Sequence, residues 1–195
     1  MVYISYGNSY TYAMQTKIPV LYVHSKSNYK LVDGFDCYDE KRDSLTYTGG
    51  SPLIAHPPCR NWSKLRAFSK GDKFESLYAF HALRLVRTYG GILEHPYDSM
   101  FWKIANIIAP GSYDVYGGFS IVFDQRQFGF YTRKRTRLYI VGCKCSELPA
   151  MPLNFCAIER KFENLSAKQR SETTLELIDW LKSVIKLIRT QQVCL

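Results

Sequence analysis

The amino-acid sequence predicts one α/β domain in which helices flank a mostly parallel sheet that also carries an antiparallel ribbon. The chain has 195 residues, 46% of them hydrophobic, which is enough for one domain with a substantial core. A short apolar run at 52–55 precedes a segment of helical period at 74–89, and a second apolar run follows at 92–94. Strand, helix and strand in this order predict a right-handed parallel unit.

The other elements lie on either side of this unit. Residues 2–6 and 20–24 are rich in β-branched and aromatic side chains, which favour strands, and a polar stretch at 25–50 follows them. We expect a short helix at 99–108, two strands at 119–123 and 137–141 that form the antiparallel ribbon, an irregular segment at 148–165, and an amphipathic helix at 166–189 with Ser166 as its N-cap. The single domain 1–195 therefore has three parts, at 1–50, 52–142 and 166–189.

The charge of the chain favours a polyanionic partner. The formal net charge is +9 and the isoelectric point is about 9.2. Basic residues form two groups, one after residue 59 and one between 126 and 137: Arg60, Lys64, Arg66, Lys70 and Lys73, then Arg126, Arg133, Lys134, Arg135 and Arg137. We therefore expect nucleic acid or a nucleotide as the partner, although solubility alone also explains such a balance.

Cysteine usage and hydropathy indicate the compartment. The six cysteines occur without a signal peptide, which points to a reducing environment. No apolar run reaches the roughly 18 residues that a membrane span needs, so we expect a cytoplasmic protein that does not contact a membrane. Cys143, Cys145 and Cys156 do not follow the usual zinc-ligand spacing, and we predict no metal site.

The segment at 52–59 contains a candidate nucleophile. Pro57 and Pro58 end the apolar run and force the chain out of the sheet directly before Cys59. This turn lies at the carboxyl edge, where open α/β sheets bind ligands. Cys59 is therefore a candidate for attack on a substrate, while a buried structural cysteine is the alternative.

A candidate acid lies at the end of the next parallel strand. Glu94 precedes His95-Pro96, which ends the run at 92–94, so its side chain is expected in the same crevice as Cys59. His56 and His95 are further candidates for proton transfer, and a hydrogen-bonded structural histidine is the alternative for each.

The order of these segments resembles the base-handling half of cytosine-C5 DNA methyltransferases. Pro57-Pro58-Cys59, Leu93-Glu94-His95 and Arg133-x-Arg135-x-Arg137 with its following strand carry that resemblance over about 52–142. The chain also resembles short phage and prophage proteins of undetermined role, through Arg42-Asp43, the phrase at 55–60, Trp62-Ser63 and the phrase at 90–96. The resemblance implies a truncated, Rossmann-like domain in the cytoplasm of a bacterial host.

The resemblance also implies roles for individual residues. Cys59 would be the nucleophile, Glu94 the acid that contacts the base, and Arg135 and Arg137 the cations that orient it. The neighbouring basic residues would lower the pKa of Cys59. Further candidates for binding the substrate are Pro57, Pro58, Arg60, Trp62, Ser63, Arg133, Arg42 and Asp43.

The resemblance implies S-adenosylmethionine as a cofactor, but its motif is not found. Only Gly7 precedes Gly34, so no glycine-rich loop follows the first predicted strand. No acidic residue ends the second predicted strand. Asp36, Asp39 and Asp43 occur instead in the polar stretch, where on a helix they would share one face. The cofactor is therefore left open.

Three functions are compatible with the sequence. The first is an enzyme that modifies a pyrimidine base, in DNA or in a nucleotide, through covalent addition of Cys59. The second is a non-catalytic protein that binds nucleotides or nucleic acid on the same scaffold and acts in regulation or against host defence. The third is a glycosidase or nucleotide transferase in which Glu94 is the catalytic group and Cys59 is structural.

Overall fold

The protein is described here by a computed structural model that covers residues 17–62, 72, 74–153 and 164–193. Six strands form one sheet in the order β2-β1-β3-β4-β6-β5. Their bounds are Ile18–Leu21 (β1), Phe35–Cys37 (β2), Leu53–Ala55 (β3), Gly91–Pro96 (β4), Phe119–Asp124 (β5) and Arg135–Val141 (β6). β1 pairs in parallel with β2 and β3, and β3 with β4, whereas β6 is antiparallel to both β4 and β5.

In the part of the chain that the structure describes, four α-helices accompany the sheet: Glu75–Tyr89 (α1), Phe101–Ile104 (α2), Ala167–Ser171 (α3) and Leu175–Val193 (α4). The α/β class, the parallel unit β3-α1-β4 and the antiparallel ribbon of β5 and β6 are confirmed. None of the helices in the described ranges has the length and apolar character needed to cross a lipid bilayer.

The sheet separates two cores because strand side chains alternate between its faces. One core contains Ile54, Ile92 and Ile140 of the sheet, together with α4 residues such as Ile185. Leu53, Leu93 and Tyr139 contribute to the other core, together with α1 residues such as Leu85. We call these the α4 face and the α1 face.

Some elements differ from the expectation in their bounds. The strand expected at 20–24 lies at Ile18–Leu21 and ends at Tyr22, whose φ is 61°. The strand expected at 2–6 lies outside the described residues. The short helix at 99–108 is reduced to Phe101–Ile104.

The helix expected at 166–189 is divided in two. Ser166 does cap α3, since its hydroxyl accepts from the amide of Gln169. The chain then turns at 172–174, where the hydroxyl of Thr174 donates to the carbonyl of Phe128 at 2.6 Å. This anchoring to a distant segment explains the interruption, which the apolar period does not indicate.

The chain reverses its direction of winding between β1 and β3. From β1 it proceeds to β2 on one side, and it later returns to form β3 on the other side. Ligands of open α/β sheets bind outside the carboxyl ends of strands at such a reversal. The amide of His56 donates to the carbonyl of Leu21 at this edge, at 3.1 Å.

Candidate functional site

The candidate site lies at the carboxyl ends of β3 and β4, on the α4 face. Ala55 and Leu93 are paired in the parallel register, so the residues that follow them are neighbours. His56 and Glu94 continue the alternation of Ile54 and Ile92, which lie in the α4 core. The Nδ1 atom of His56 is 3.1 Å from Oε2 of Glu94, and both side chains keep some solvent access, at 14% and 16%.

A buried tyrosine forms the other side of His56. Tyr29 belongs to a short 3-10 helix, Asn28–Leu31, which begins where the Ser27 hydroxyl accepts from the Tyr29 amide. The Tyr29 hydroxyl is 2.9 Å from Nε2 of His56, and its ring packs edge-on against Phe35. Tyr29, His56 and Glu94 therefore form a continuous hydrogen-bonded chain.

The charges around Glu94 keep it ionised. Burial by itself would raise the pKa of Glu94, but the hydrogen bond and charge of His56, with the charge of Lys134, outweigh it and lower the pKa. Burial and then the charge of Glu94 raise the pKa of Tyr29 well above its usual value. The resting site thus holds a carboxylate and a neutral phenol.

Lys134 is the basic residue of this site; burial lowers its pKa, and the charge of Glu94 opposes that shift. It directly precedes β6, and its ammonium donates to the carbonyl of Glu172, just before α4, at 2.8 Å. The ammonium also lies 4.8 Å from the centre of the Phe130 ring. Sequence reasoning missed Lys134 because the arginines on either side matched the motif. The strand alternation was the signal that could have identified it, since Lys134 has the same parity as Leu138 of the α4 core.

Cys59 lies on an exposed turn at the same edge, after the buried Pro57 and the half-buried Pro58. The surrounding protein nevertheless desolvates the sulfur. Burial first and the charge of Glu94 second raise the pKa of the Cys59 thiol, and the opposing effects of Lys134 and Arg60 are smaller. The expectation of a thiol activated by basic neighbours is therefore wrong for the resting protein. Arg60 instead pairs with Glu75 at 2.7 Å.

The expected convergence of Arg135 and Arg137 on Glu94 is also wrong. Arg137 is buried on the α1 face, where its guanidinium donates to the carbonyl of Ile107 at 3.1 Å and to the Ser120 hydroxyl at 3.0 Å. Arg135 stacks on the exposed ring of Tyr97 at 3.8 Å. These odd-numbered residues of β6 face away from the α4 core. Arg133 is exposed, and its Nε is 4.0 Å from the Asp124 carboxylate.

His95 also faces the α1 side, so it is not part of the hydrogen-bonded chain. It is fully buried between the rings of Phe101 and Trp102, at 5.4 and 5.9 Å. Burial lowers the pKa of His95 to about 4, and the imidazole is neutral at pH 7. Neither ring nitrogen has a hydrogen bond of normal geometry within the described ranges. Its position is that of a core residue.

The remaining predicted residues make local contacts. Trp62 is buried against Phe80 and Phe101, while Ser63 lies outside the described residues. Arg42 pairs with Asp36 and stacks on Tyr38, and Asp43 accepts from the amide of Leu45 at 2.9 Å. Asp36, Asp39 and Asp43 do not share a helix face, because Asp36 lies in β2 and Asp39, which pairs with Lys30, follows it.

Comparison of the chain with known protein families and with curated proteins finds no match. In the described part of the chain, no group of three or more His, Cys, Asp or Glu side chains is arranged to hold a metal ion. The function is therefore inferred from the geometry at the carboxyl edge.

Proposed function

We propose that the protein modifies a pyrimidine base, in a nucleotide or in DNA, through addition of the Cys59 sulfur to C6 of the ring. The observation that carries the proposal is that a thiol and an ionised carboxylate lie toward the carboxyl ends of two neighbouring parallel strands. Cys59 follows β3, Glu94 comes directly after the residue of β4 that pairs with Ala55 of β3, and the charge of Glu94 acts on the Cys59 thiol. The resemblance to the base-handling half of cytosine-C5 methyltransferases adds support.

The chemistry of the addition needs no further reactant. The S–H bond of Cys59 breaks, sulfur bonds to C6, the C5–C6 double bond opens, and a proton is added at C5. Glu94 accepts a hydrogen bond from the exocyclic amine, and the Lys134 ammonium stabilises negative charge that develops on the ring. Reversal with loss of the original C5 proton exchanges that proton with solvent.

The residues after β1 and β2 do not fit S-adenosylmethionine. Tyr22 stands directly after β1 and stacks on Tyr78, with ring centres 5.5 Å apart. The carboxylates of Asp36 and Asp39, which would be needed for a ribose, are already paired with Arg42 and Lys30. The proposal therefore includes no transfer of a methyl group.

Exchange at C5 tests the proposal directly. Deoxycytidine monophosphate and a short cytosine-rich oligonucleotide are incubated with the protein in D₂O, and the C5 proton signal is followed by NMR. We expect the signal to decay with the wild-type protein and to persist with Cys59→Ser. Cys145→Ser is the matched control, because Cys145 is also a free, exposed cysteine, and it should retain exchange. Exchange by Cys59→Ser, or its absence from the wild type with both substrates, would overturn the proposal.

A glycosidase or nucleotide transferase with Glu94 as the catalytic group is the second candidate. It is favoured by the resting state of the site, in which Glu94 is ionised while burial raises the pKa of Cys59. Here Glu94→Gln would abolish release of the free base from a nucleotide, and Cys59→Ser would retain it. Chromatography of the reaction products separates the two candidates. Binding of nucleotide without either reaction would instead identify a non-catalytic binding protein.

A further inference from the structure

The two hydrogen bonds that link Tyr29, His56 and Glu94 run in the same direction from donor to acceptor. An ionised carboxylate has no proton to donate, so the Nδ1 atom of His56 must carry the proton in its contact with Oε2. When the imidazole of His56 is neutral it has only one N–H, which leaves Nε2 as an acceptor. The Tyr29 hydroxyl therefore donates to Nε2.

Burial prevents water from replacing the hydrogen bond between Tyr29 and His56. Tyr29 is 1% exposed, and its raised pKa keeps the proton on the phenol. Without Tyr29 the neutral imidazole would be free to place its proton on Nε2, and Nδ1 would then face the carboxylate as a second acceptor. A donor on the far side of a histidine is a common way to select its tautomer.

We propose that Tyr29 and His56 are positioning residues for Glu94 when the imidazole is neutral. Tyr29 holds His56 in the Nδ1–H tautomer, and His56 holds Oε2 of Glu94, so that Oε1 is left to accept a hydrogen bond from the ligand. Oε1 has no hydrogen-bond partner within the described ranges. The arrangement suits a ligand with an N–H donor, such as the exocyclic amine of cytosine. The assignment of the ligand rests on the proposed function, whereas the order of the hydrogen bonds does not.

The groups that set the charge of Glu94 come from several elements. His56 after β3, Lys134 before β6 and His95 in β4 all act to lower its pKa, against the effect of burial. The titratable groups whose own pKa responds to the charge of Glu94 at this edge are Cys59, Tyr29, His95 and Lys134. Lys134 stays in place when His56 is replaced, so a change in the Glu94 pKa in that variant reports the loss of His56.

A second tyrosine–histidine pair in the same protein is a matched control. The Tyr22 hydroxyl is 2.8 Å from Nδ1 of His81, nearly the same length as the Tyr29–His56 contact. Both side chains of this control pair are half-buried, and among the described residues His81 has no hydrogen bond to a carboxylate. Tyr22→Phe removes the same kind of hydroxyl without touching Glu94.

NMR of the imidazole nitrogens tests the inference in the full-length protein. At pH 7.5 we expect the ¹⁵N shifts of His56 to show a protonated Nδ1 and an unprotonated Nε2. Tyr29→Phe should shift both signals toward a mixture of tautomers, and Tyr22→Phe should leave them unchanged while altering His81. A wild-type His56 protonated at Nε2 alone, or at both nitrogens, would overturn the inference without any variant. An unchanged signature in Tyr29→Phe would overturn it as well.

Two further measurements link the tautomer to Glu94. The ¹³C titration of the Glu94 carboxyl should move to higher pH in His56→Leu, because the hydrogen bond and charge that lower its pKa are removed. If C5 exchange occurs, its rate in Tyr29→Phe should fall about five- to tenfold, as the loss of one ordinary hydrogen bond predicts. Absence of exchange in the wild type contradicts the proposed function alone, whereas an unmoved carboxyl titration contradicts the positioning role.

Discussion

At the level of single side chains, the site is governed by which face of the sheet each residue occupies. The resemblance implies two cations near Glu94, Arg135 and Arg137, but the alternation of β6 places Arg137 in the α1 core and Lys134 on the α4 side. Cys59 has a thiol whose pKa is raised rather than lowered. The raised pKa therefore keeps the Cys59 thiol protonated in the resting protein, whereas Glu94 is ionised.

This electrostatic coupling predicts the alkylation behaviour of Cys59. At pH 7 iodoacetamide should modify Cys59 more slowly than N-acetylcysteine, and the rate should still be rising above pH 9, because the raised pKa leaves little thiolate. Glu94→Gln should speed the reaction at any given pH, since the carboxylate is one cause of the raised pKa. Peptide mass spectrometry measures the rate at Cys59. Asp33→Asn, an exposed change away from the carboxyl edge, is the control, and an equal effect in both variants would contradict the coupling.

At the level of elements, the pairing of β3 with β4 brings His56 and Glu94 together. This pairing requires a glycine at the start of β4. Gly91 has a φ of 129°, and a Cβ there would lie 2.1 Å from the carbonyl oxygen of Leu53. The strands could accommodate a side chain only by separating, which would also separate the residues that follow them.

Gly91→Ala should therefore destabilise the fold strongly. Gly50 is the matched control, since its φ is also positive, at 103°, but a Cβ there would meet nothing within 4 Å. We expect Gly50→Ala to cost about 1–2 kcal/mol of unfolding free energy from backbone strain alone. Gly91→Ala should cost at least about 2 kcal/mol more because of the steric overlap. Urea unfolding measures both, and equal costs would show that the strands separate easily.

At the level of the whole molecule, the arginines of the second basic group have two different roles. Arg137 is buried and ties β6 to β5 and to the chain after α2, through Ser120 and Ile107. Arg133 and Arg135 are exposed at the end of the ribbon. With a net charge of +9, the surface cations are available for a polyanion, whereas Arg137 stabilises the fold.

Measurements of single-stranded DNA binding and of unfolding distinguish these two roles. We expect the affinity to fall steeply with KCl concentration, and the log–log slope to become shallower by about 0.7 in Arg133→Met or Arg135→Met, because each change removes one cation that neutralises a phosphate. Neither change should alter the unfolding midpoint. Arg137→Met should lower the free energy of unfolding by about 1–3 kcal/mol, because its buried carbonyl partners are left without their donor. Fluorescence anisotropy and urea unfolding measure the two effects, and salt-independent binding would favour free nucleotides over DNA.

Much of the fold could be inferred from local patterns. The apolar runs before and after 74–89 predict β3-α1-β4 because turn residues bound them and the helical period between them is regular. The ribbon is predicted by two short apolar runs on either side of a loop that contains arginines. The bounds of β1 and the break between α3 and α4 do not follow from local patterns, because Tyr22 and Thr174 depend on partners far along the chain, Ser44 and Phe128.

The chain's own order of residues is sufficient to place Cys59 and Glu94 at one edge of a parallel sheet, since strand ends follow from short, local signals. The identity of their neighbours depends on packing between distant segments. Tyr29 reaches His56 from 27 positions away, and His56 reaches Glu94 across 38. Lys134 replaces the expected arginines because β6 enters the sheet in one register, and a shift of a single residue would exchange the two faces.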